Sequence, residues 1–431
     1  MTMWTTVLAK TREALRIGWA LWHLGNSSLI VWIFAVLTCG TLIVEAKVQN
    51  QPTTDKSLKP RVVVVGVNGM EWDIVRPLLI RGELPNLASV IGRGVYGKLR
   101  TLSAPNCPKI YSVIATGVSP ERNGVTGFTV GGMTASTKML KSDPLWSLLS
   151  KHGITVGMAN VPATFPVMPV NGYMVSGMLA RGKGCADGIL CSPKLSEVEG
   201  GDAAYPKSLA AEIETNVGDI NLDCARMPYA QDLKGNEKQL IHSWLDEVQR
   251  IRSEQTKLFD YLLKNHPTDF TMFAQSCEDR SGHWLYPIQP HNVGFDAKIN
   301  GVEPDAFPAQ YREFDKVLGT ILRHVDDHTY FFILSDHGIK PLREFEEDPQ
   351  VHMDHGGTTP VIAKHDFTDG DDVPGAFIAM GPNIKKGFRL MGFQASVLDI
   401  APTVLYLYGI TPPKNMEGHV LGEIFENTKP H

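Results

Sequence analysis

The longest apolar run in the chain lies near its start. Ser28 to Val44 carries no charged residue, and Glu45 and Lys47 close it, so the length suits a membrane-crossing helix. Ahead of it Trp4, Val7, Leu8, Leu15, Ile17, Trp19 and Trp22 alternate with Lys10, Arg12 and Arg16 at helical spacing, which predicts an amphipathic interfacial helix. The expected organisation is an interfacial segment over 1–26, an anchor over 27–46 and a polar linker over 47–60. The basic leader puts the N-terminus in the cytoplasm and the remainder outside it. A cleaved signal peptide ending near Val44 and Ala46 is the competing reading, against which stands the length of the leader.

Beyond the linker the pattern changes to short apolar runs between helical periodicities. RVVVVGV, an unbroken β-branched run from Arg61, reads as a strand buried on both faces of a parallel sheet. Helices are expected at Trp72–Ile80, at Leu84–Arg93 and at Lys109–Ala115. The helix PLWSLLSKHG then precedes the strand ITVGMANV. From 167 to 238 periodicity fades and Gly, Pro, Asp and Asn accumulate, which predicts an inserted cap. A long helix from Gly235 to Asn265 returns the chain to the strand DFTMFAQ. The helix from Ala306 to Val325, the strands TYFFILS and GAFIAMG, and a last helix over 395–410 follow. This alternation predicts an α/β fold, a doubly wound, mostly parallel sheet sandwiched by helices, with its core over 61–166 and 239–431.

Composition alters little. The 431 residues are 43% hydrophobic and 20% charged, ordinary for a globular protein, and a net charge of -5 argues against a nucleic-acid partner. Six cysteines are too few for a disulfide scaffold. Export would permit a bridge such as Cys185 to Cys191, and free thiols at Cys185, Cys191 and Cys224 are the alternative.

Three strand ends carry polar clusters, where ligands bind in open α/β sheets. Asn68 follows VVVVGV, Asp279 and His283 follow DFTMFAQ, and Asp336 and His337 follow TYFFIL. A strand-end Asp alone is most often a turn former or helix cap, and a lone His is more often surface or core. Two Asp/His pairs beyond separate strands point to zinc-like ions.

The segments GVNGMEWDIVRPLLIRGELPNLASVIGRGVYGKL, PNCPKIYSVIATGVSPERNGVTGF, DRSGH, SDHG, GAFIAMGPNIKKG and SVLDIAPTVLYLYGI occur in that order, with MEGHVLGEIF after them. In order and spacing the chain resembles the type I phosphodiesterase/nucleotide pyrophosphatase family of the alkaline phosphatase superfamily. The resemblance implies a metal-dependent phosphoester hydrolase with an alkaline-phosphatase-like fold and one or two divalent ions, zinc above all. It implies that Asp279 and His283 bind one ion and that Asp336 and His337 bind the other.

Two positions depart from the family pattern. Asn68 stands where the family has a ligand Asp, and Asn106, two residues before Pro108, stands where it has a nucleophilic Thr or Ser. An amide is a poor nucleophile, so the covalent route is closed at Asn106. Asn68 keeps a coordinating oxygen but loses a charge, which weakens the second cation site. Ser103 and Cys107 are the nearby alternatives for a displaced nucleophile. For the family's last histidine His365, in AKHDFTDG, is the preferred match, with His352 and His355 as substitutes and Asp371 the match by spacing alone.

Sulfatases of the same superfamily modify a Cys that is one residue removed from a Pro. In this chain Pro108 follows Cys107 directly, so a structural Cys107 is expected instead. The resulting expectation is a membrane-anchored phosphodiesterase-like protein of weakened or lost activity that binds a phosphoester. The alternative is an inactive relative serving as a binding or structural subunit of a membrane complex.

Overall fold

Strand β1, Arg61–Val67, is completely apolar in its interior, and its side chains divide between two cores. Val63, Val65 and Val67 pack into one, Val62 and Val64 into the other, as period-2 alternation requires. Each such valine, fully removed from water, contributes about 1.5–3 kcal/mol. A strand buried on both faces belongs at the centre of a sheet, and β1 lies there.

The computed structural model describes residues 59–103, 105–183, 192–225, 237–285, 303–341, 363–364 and 374–426. The expected interfacial segment, anchor and most of the linker lie outside these residues. Among the described residues no helix is long and apolar enough to cross a membrane.

Among the described residues the sheet has ten strands. Besides β1, its main members are β2 (Val95–Arg100), β3 (Val156–Asn160), β4 (Gly172–Gly177), β5 (Ala204–Tyr205), β6 (Phe270–Gln275), β7 (Thr329–Leu334) and β8 (Gly375–Met380). From one edge the order is Phe388–Arg389, β2, β8, β7, β1, β6, β3, β4, β5, and Ala395–Ser396 also pairs with β2. The run from β7 through β1, β6 and β3 to β4 is parallel. Strand β8 is antiparallel to both β7 and β2, and β5 is antiparallel to β4. The expected mostly parallel sheet is therefore present, with mixed margins. Within the segment expected as a cap, β4 and β5 extend the sheet itself.

Eight helices frame the site: α1 (Trp72–Ile80), α2 (Pro85–Arg93), α3 (Cys107–Thr116), α4 (Leu145–Lys151), α5 (Glu237–Asn265), α6 (Cys277–Leu285), α7 (Ala306–Leu322) and α8 (Ile400–Leu407). Helices α1, α2, α5 and α7 contribute to the core on one face, α3, α4 and α8 to the core on the other. Local signals explain several ends. Pro85 opens α2, whose first amides, Asn86 N and Leu87 N, donate to the Asp315 carboxylate at 3.1 and 2.8 Å. Gly117, at φ 62°, closes α3 in the left-handed conformation that a helix C-terminus favours.

Candidate metal centre

Parallel pairing fixes where the candidate residues meet. Val67 of β1 is level with Gln275 of β6, and Gly66 with Leu334 of β7, so three adjacent strands end together. Asn68 continues β1 by donating its amide to Gln275 O at 2.9 Å. The chain then turns at Gly69, at φ +71°, a conformation open to glycine. A Cβ at Gly69 would lie 2.9 Å from the Asp279 Cα. On its other side the Gly69 amide donates to Asp336 Oδ1 at 3.3 Å. Gly69 therefore sits between the two Asp/His pairs, and a side chain there would part them.

Asp279 and His283 belong to helix α6, which sequence periodicity did not predict. Their i, i+4 spacing puts both on one helix face, with His283 Nε2 3.5 Å from Asp279 Oδ1. The intervening charges point elsewhere. Glu278 pairs with Arg252 of α5 at 2.9 Å and Arg280 with Asp223 at 2.8 Å, all four side chains buried. Ser276 also donates to Asp223. Cys277, at the start of α6, forms a disulfide with Cys224. That corrects the alternative of a free Cys224, while Cys185 and Cys191 lie outside the described residues.

Asp336 and His337 form the loop after β7. Asp336 Oδ1 accepts from the amides of Gly69 and His337, and the His337 Nδ1 meets Gly338 O at 3.0 Å. The His337 Nε2 turns inward, 3.3 Å from Asp336 Oδ2. That carboxylate oxygen is buried and has no hydrogen-bond partner. Burial raises the Asp336 carboxyl above the usual carboxylate range, His337 opposes the shift, and the charge of Asp279 adds to it. Acids crowded together beside two histidines and without a cation are what a divalent-ion site presents when its own charge is left out. The donor types fit such an ion.

Helix α3 closes the centre from the other face of the sheet. Tyr111 donates its hydroxyl to Asn68 Oδ1 at 2.7 Å, and burial first, then nearby acids, hold that hydroxyl protonated far above its usual pKa. The contact requires Gly66, because a Cβ there would lie 2.2 Å from the Tyr111 oxygen. Asn68 thus has its oxygen engaged, and its Nδ2 is buried with no hydrogen-bond partner.

Asn106 is the N-cap of α3, its side-chain oxygen accepting from Lys109 N at 3.2 Å. The next residue is buried in the core, as expected of a structural Cys107. Its Sγ also lies 3.9 Å from His337 Nε2, and Cys107, Asp336 and His337 offer ligand atoms within 4.8 Å of one another. Ser103 is exposed. His365, His352, His355 and Asp371 lie outside the described residues. Sequence reasoning missed Glu278, Arg280 and Tyr111; the charges flanking Asp279 in CEDRS were the one available signal.

A family model for type I phosphodiesterase/nucleotide pyrophosphatase matches residues 62–384, about three quarters of the chain. The chain belongs to this family. It is a member of the alkaline phosphatase superfamily, and BT4656 and BT1596 agree with it at the level of fold. BT4656, solved in complex with its substrate D-glucosamine-2-N,6-O-disulfate, aligns with a TM-score of 0.51 at 14% identity, over 86% of this chain and 81% of that one. BT1596, a 2-O GAG sulfatase, aligns with a TM-score of 0.50 at 14% identity, over 87% of this chain and 76% of that one. Human ectonucleotide pyrophosphatase/phosphodiesterase 5 aligns at 14% identity and a TM-score of 0.46, over 85% of this chain and all of that one. Among curated protein sequences none matches.

Proposed function

We propose that this family member binds a phosphoester at a divalent-cation centre formed by Asp279, His283, Asp336 and His337, and hydrolyses it weakly. The convergence of the two Asp/His pairs around Gly69 carries this reading. Nitrogen and carboxylate donors suit zinc. A bound cation would neutralise the buried acids and polarise the phosphoryl group. Within the chain, the buried Arg280–Asp223 pair braces the helix that carries Asp279 and His283. Asn106 offers no hydroxyl, so the covalent route is closed at that position, and water and the Cys107 thiol are the nucleophiles that remain near the centre.

Beyond the site, the reading includes an N-terminal membrane anchor with the folded part outside the cytoplasm. The charge-free run from Ser28 to Val44 supports the anchor, and the Cys224–Cys277 disulfide supports an oxidising compartment. One observation favours a second reading, an inactive binding subunit of a membrane complex: the Asn106 side chain is engaged as a helix cap.

The deciding experiment measures zinc content and turnover of bis(nitrophenyl) phosphate by the full chain. Weak, zinc-dependent turnover that Asp279→Ala abolishes supports the first reading. Retained zinc without turnover, with activity gained on Asn68→Asp plus Asn106→Thr, supports the second. A folded protein that retains no zinc and turns nothing over overturns the cation centre.

A further inference from the structure

Resting on the cation centre just described, we propose that Cys107 is itself a ligand, its thiolate completing a sulfur, nitrogen and oxygen set with His337 and Asp336. Three observations lead there. The first is spacing. Two ligands at about 2.0–2.1 Å from a tetrahedral ion stand about 3.3 Å apart, and a sulfur at about 2.3 Å stands about 3.6 Å from a nitrogen. Asp336 Oδ2 and His337 Nε2 are 3.3 Å apart, and Cys107 Sγ and His337 Nε2 are 3.9 Å apart. The Asp336 carboxylate lies within 4.8 Å of the sulfur as well, so all three donors can turn to one ion.

The second observation is charge. Asn68 supplies no negative charge, and its oxygen already accepts the Tyr111 hydroxyl. A thiolate at Cys107 restores the missing charge from the opposite side of the loop. The buried Asp336 Oδ2, which has no hydrogen-bond partner, is then accounted for as a coordinating atom.

The third observation is position. Cys107 is the first residue of the ten-residue helix α3 and is buried. Its neighbours include the apolar core on that face of the sheet. Its sulfur, however, lies against the His337 ring and within reach of the Asp336 carboxylate, two donor groups that a purely apolar packing site would not offer.

Coordination would release the thiol proton to solvent and leave a soft donor in the shell. The set should therefore select zinc, cobalt or cadmium over magnesium, calcium or manganese.

The test is a titration of the chelator-stripped full chain with cobalt(II) alone. A thiolate-to-cobalt charge-transfer band in the near ultraviolet is expected to grow with binding and saturate. Cys107→Ser, folded by circular dichroism, should lose the band and bind cobalt at least about 10–100-fold more weakly, the range that loss of even an outer-shell partner produces. Cobalt bound without the band, or a band that persists in Cys107→Ser, overturns the thiolate ligand while leaving the cation centre standing. A wild type that takes up no cobalt overturns both. Should the variant fail to fold, X-ray absorption of the zinc-loaded wild type decides: one sulfur at about 2.3 Å is expected, and a shell of nitrogen and oxygen alone overturns the proposal.

Discussion

Helix α6 brings Asp279 and His283 to the centre on a support tied from several directions, whereas the ends of β1 and β7 and the head of α3 bring Asn68, Asp336, His337 and Cys107 with polar atoms left over. On the α6 side, Arg252 meets Glu278, Arg280 meets Asp223, and Cys277 is bonded to Cys224. On the loop side Asn68 Nδ2 and Asp336 Oδ2 are buried without hydrogen-bond partners. Both sides keep an Asp/His pair, but only the α6 side has a scaffold that is over-determined. The side that carries Asn68 and Asn106 relies on tight backbone turns and single hydrogen bonds. Substitution at a site is tolerated where few other interactions depend on the residue replaced, and the difference can be tested by breaking each side in turn.

The largest effect is expected from the brace of α6. Arg252→Met removes one partner of a fully buried pair and leaves Glu278 without its cation, which costs about 3–5 kcal/mol. Urea denaturation reads it directly; a loss below about 1 kcal/mol would mean that α6 does not depend on the pair. Next comes the disulfide, whose cysteines are 53 residues apart. Cys224→Ser with Cys277→Ser should cost about 2–4 kcal/mol, and a reductant should reproduce the loss in the wild type.

The loop side should yield less. Tyr111→Phe removes the hydroxyl donated to Asn68 Oδ1 and leaves a buried acceptor unsatisfied, for a cost of about 1–3 kcal/mol. Thermal unfolding with and without zinc sharpens the comparison. A Tyr111→Phe penalty that vanishes on zinc loading would show that Asn68 Oδ1 has turned to the ion, against the charge argument made for Cys107.

Legibility in the sequence followed the same division. Continuous apolar runs such as VVVVGV, FTMFAQ and TYFFIL announced the central strands, and the polar residues just past them marked the candidate ligands. Strand β2 escaped, because VYGKLR is short, alternates between buried and exposed positions and has a glycine at its centre. Its pairing with β8 depends on a partner nearly three hundred residues away. Helix α6 escaped too, because CEDRSGHWL buries charges and carries no apolar stripe. Its stability comes from Arg252 and Asp223, at separations of 26 and 57 residues. Cys107 was read as packing because nothing in N-C-P says which way the thiol points; the first turn of α3 decides that.

The smallest expected effect is at Asn106, and its sign separates a cap from a lost nucleophile. As the N-cap of α3, Asn106 satisfies one first-turn amide, so Asn106→Ala should cost about 1 kcal/mol. Asn and Ser cap about equally well, so Asn106→Ser should leave stability within about 0.5 kcal/mol of the wild type. The same change places a hydroxyl at the head of α3, next in sequence to Cys107, whose sulfur meets His337. If the family's nucleophile position is retained in geometry and only its chemistry is lost, Asn106→Ser should raise phosphodiester turnover while the unfolding midpoint stays put. Should the cap be restored in stability while turnover stays at background with zinc bound, the loop side has lost its reacting geometry as well as its nucleophile, and the cation centre serves binding alone.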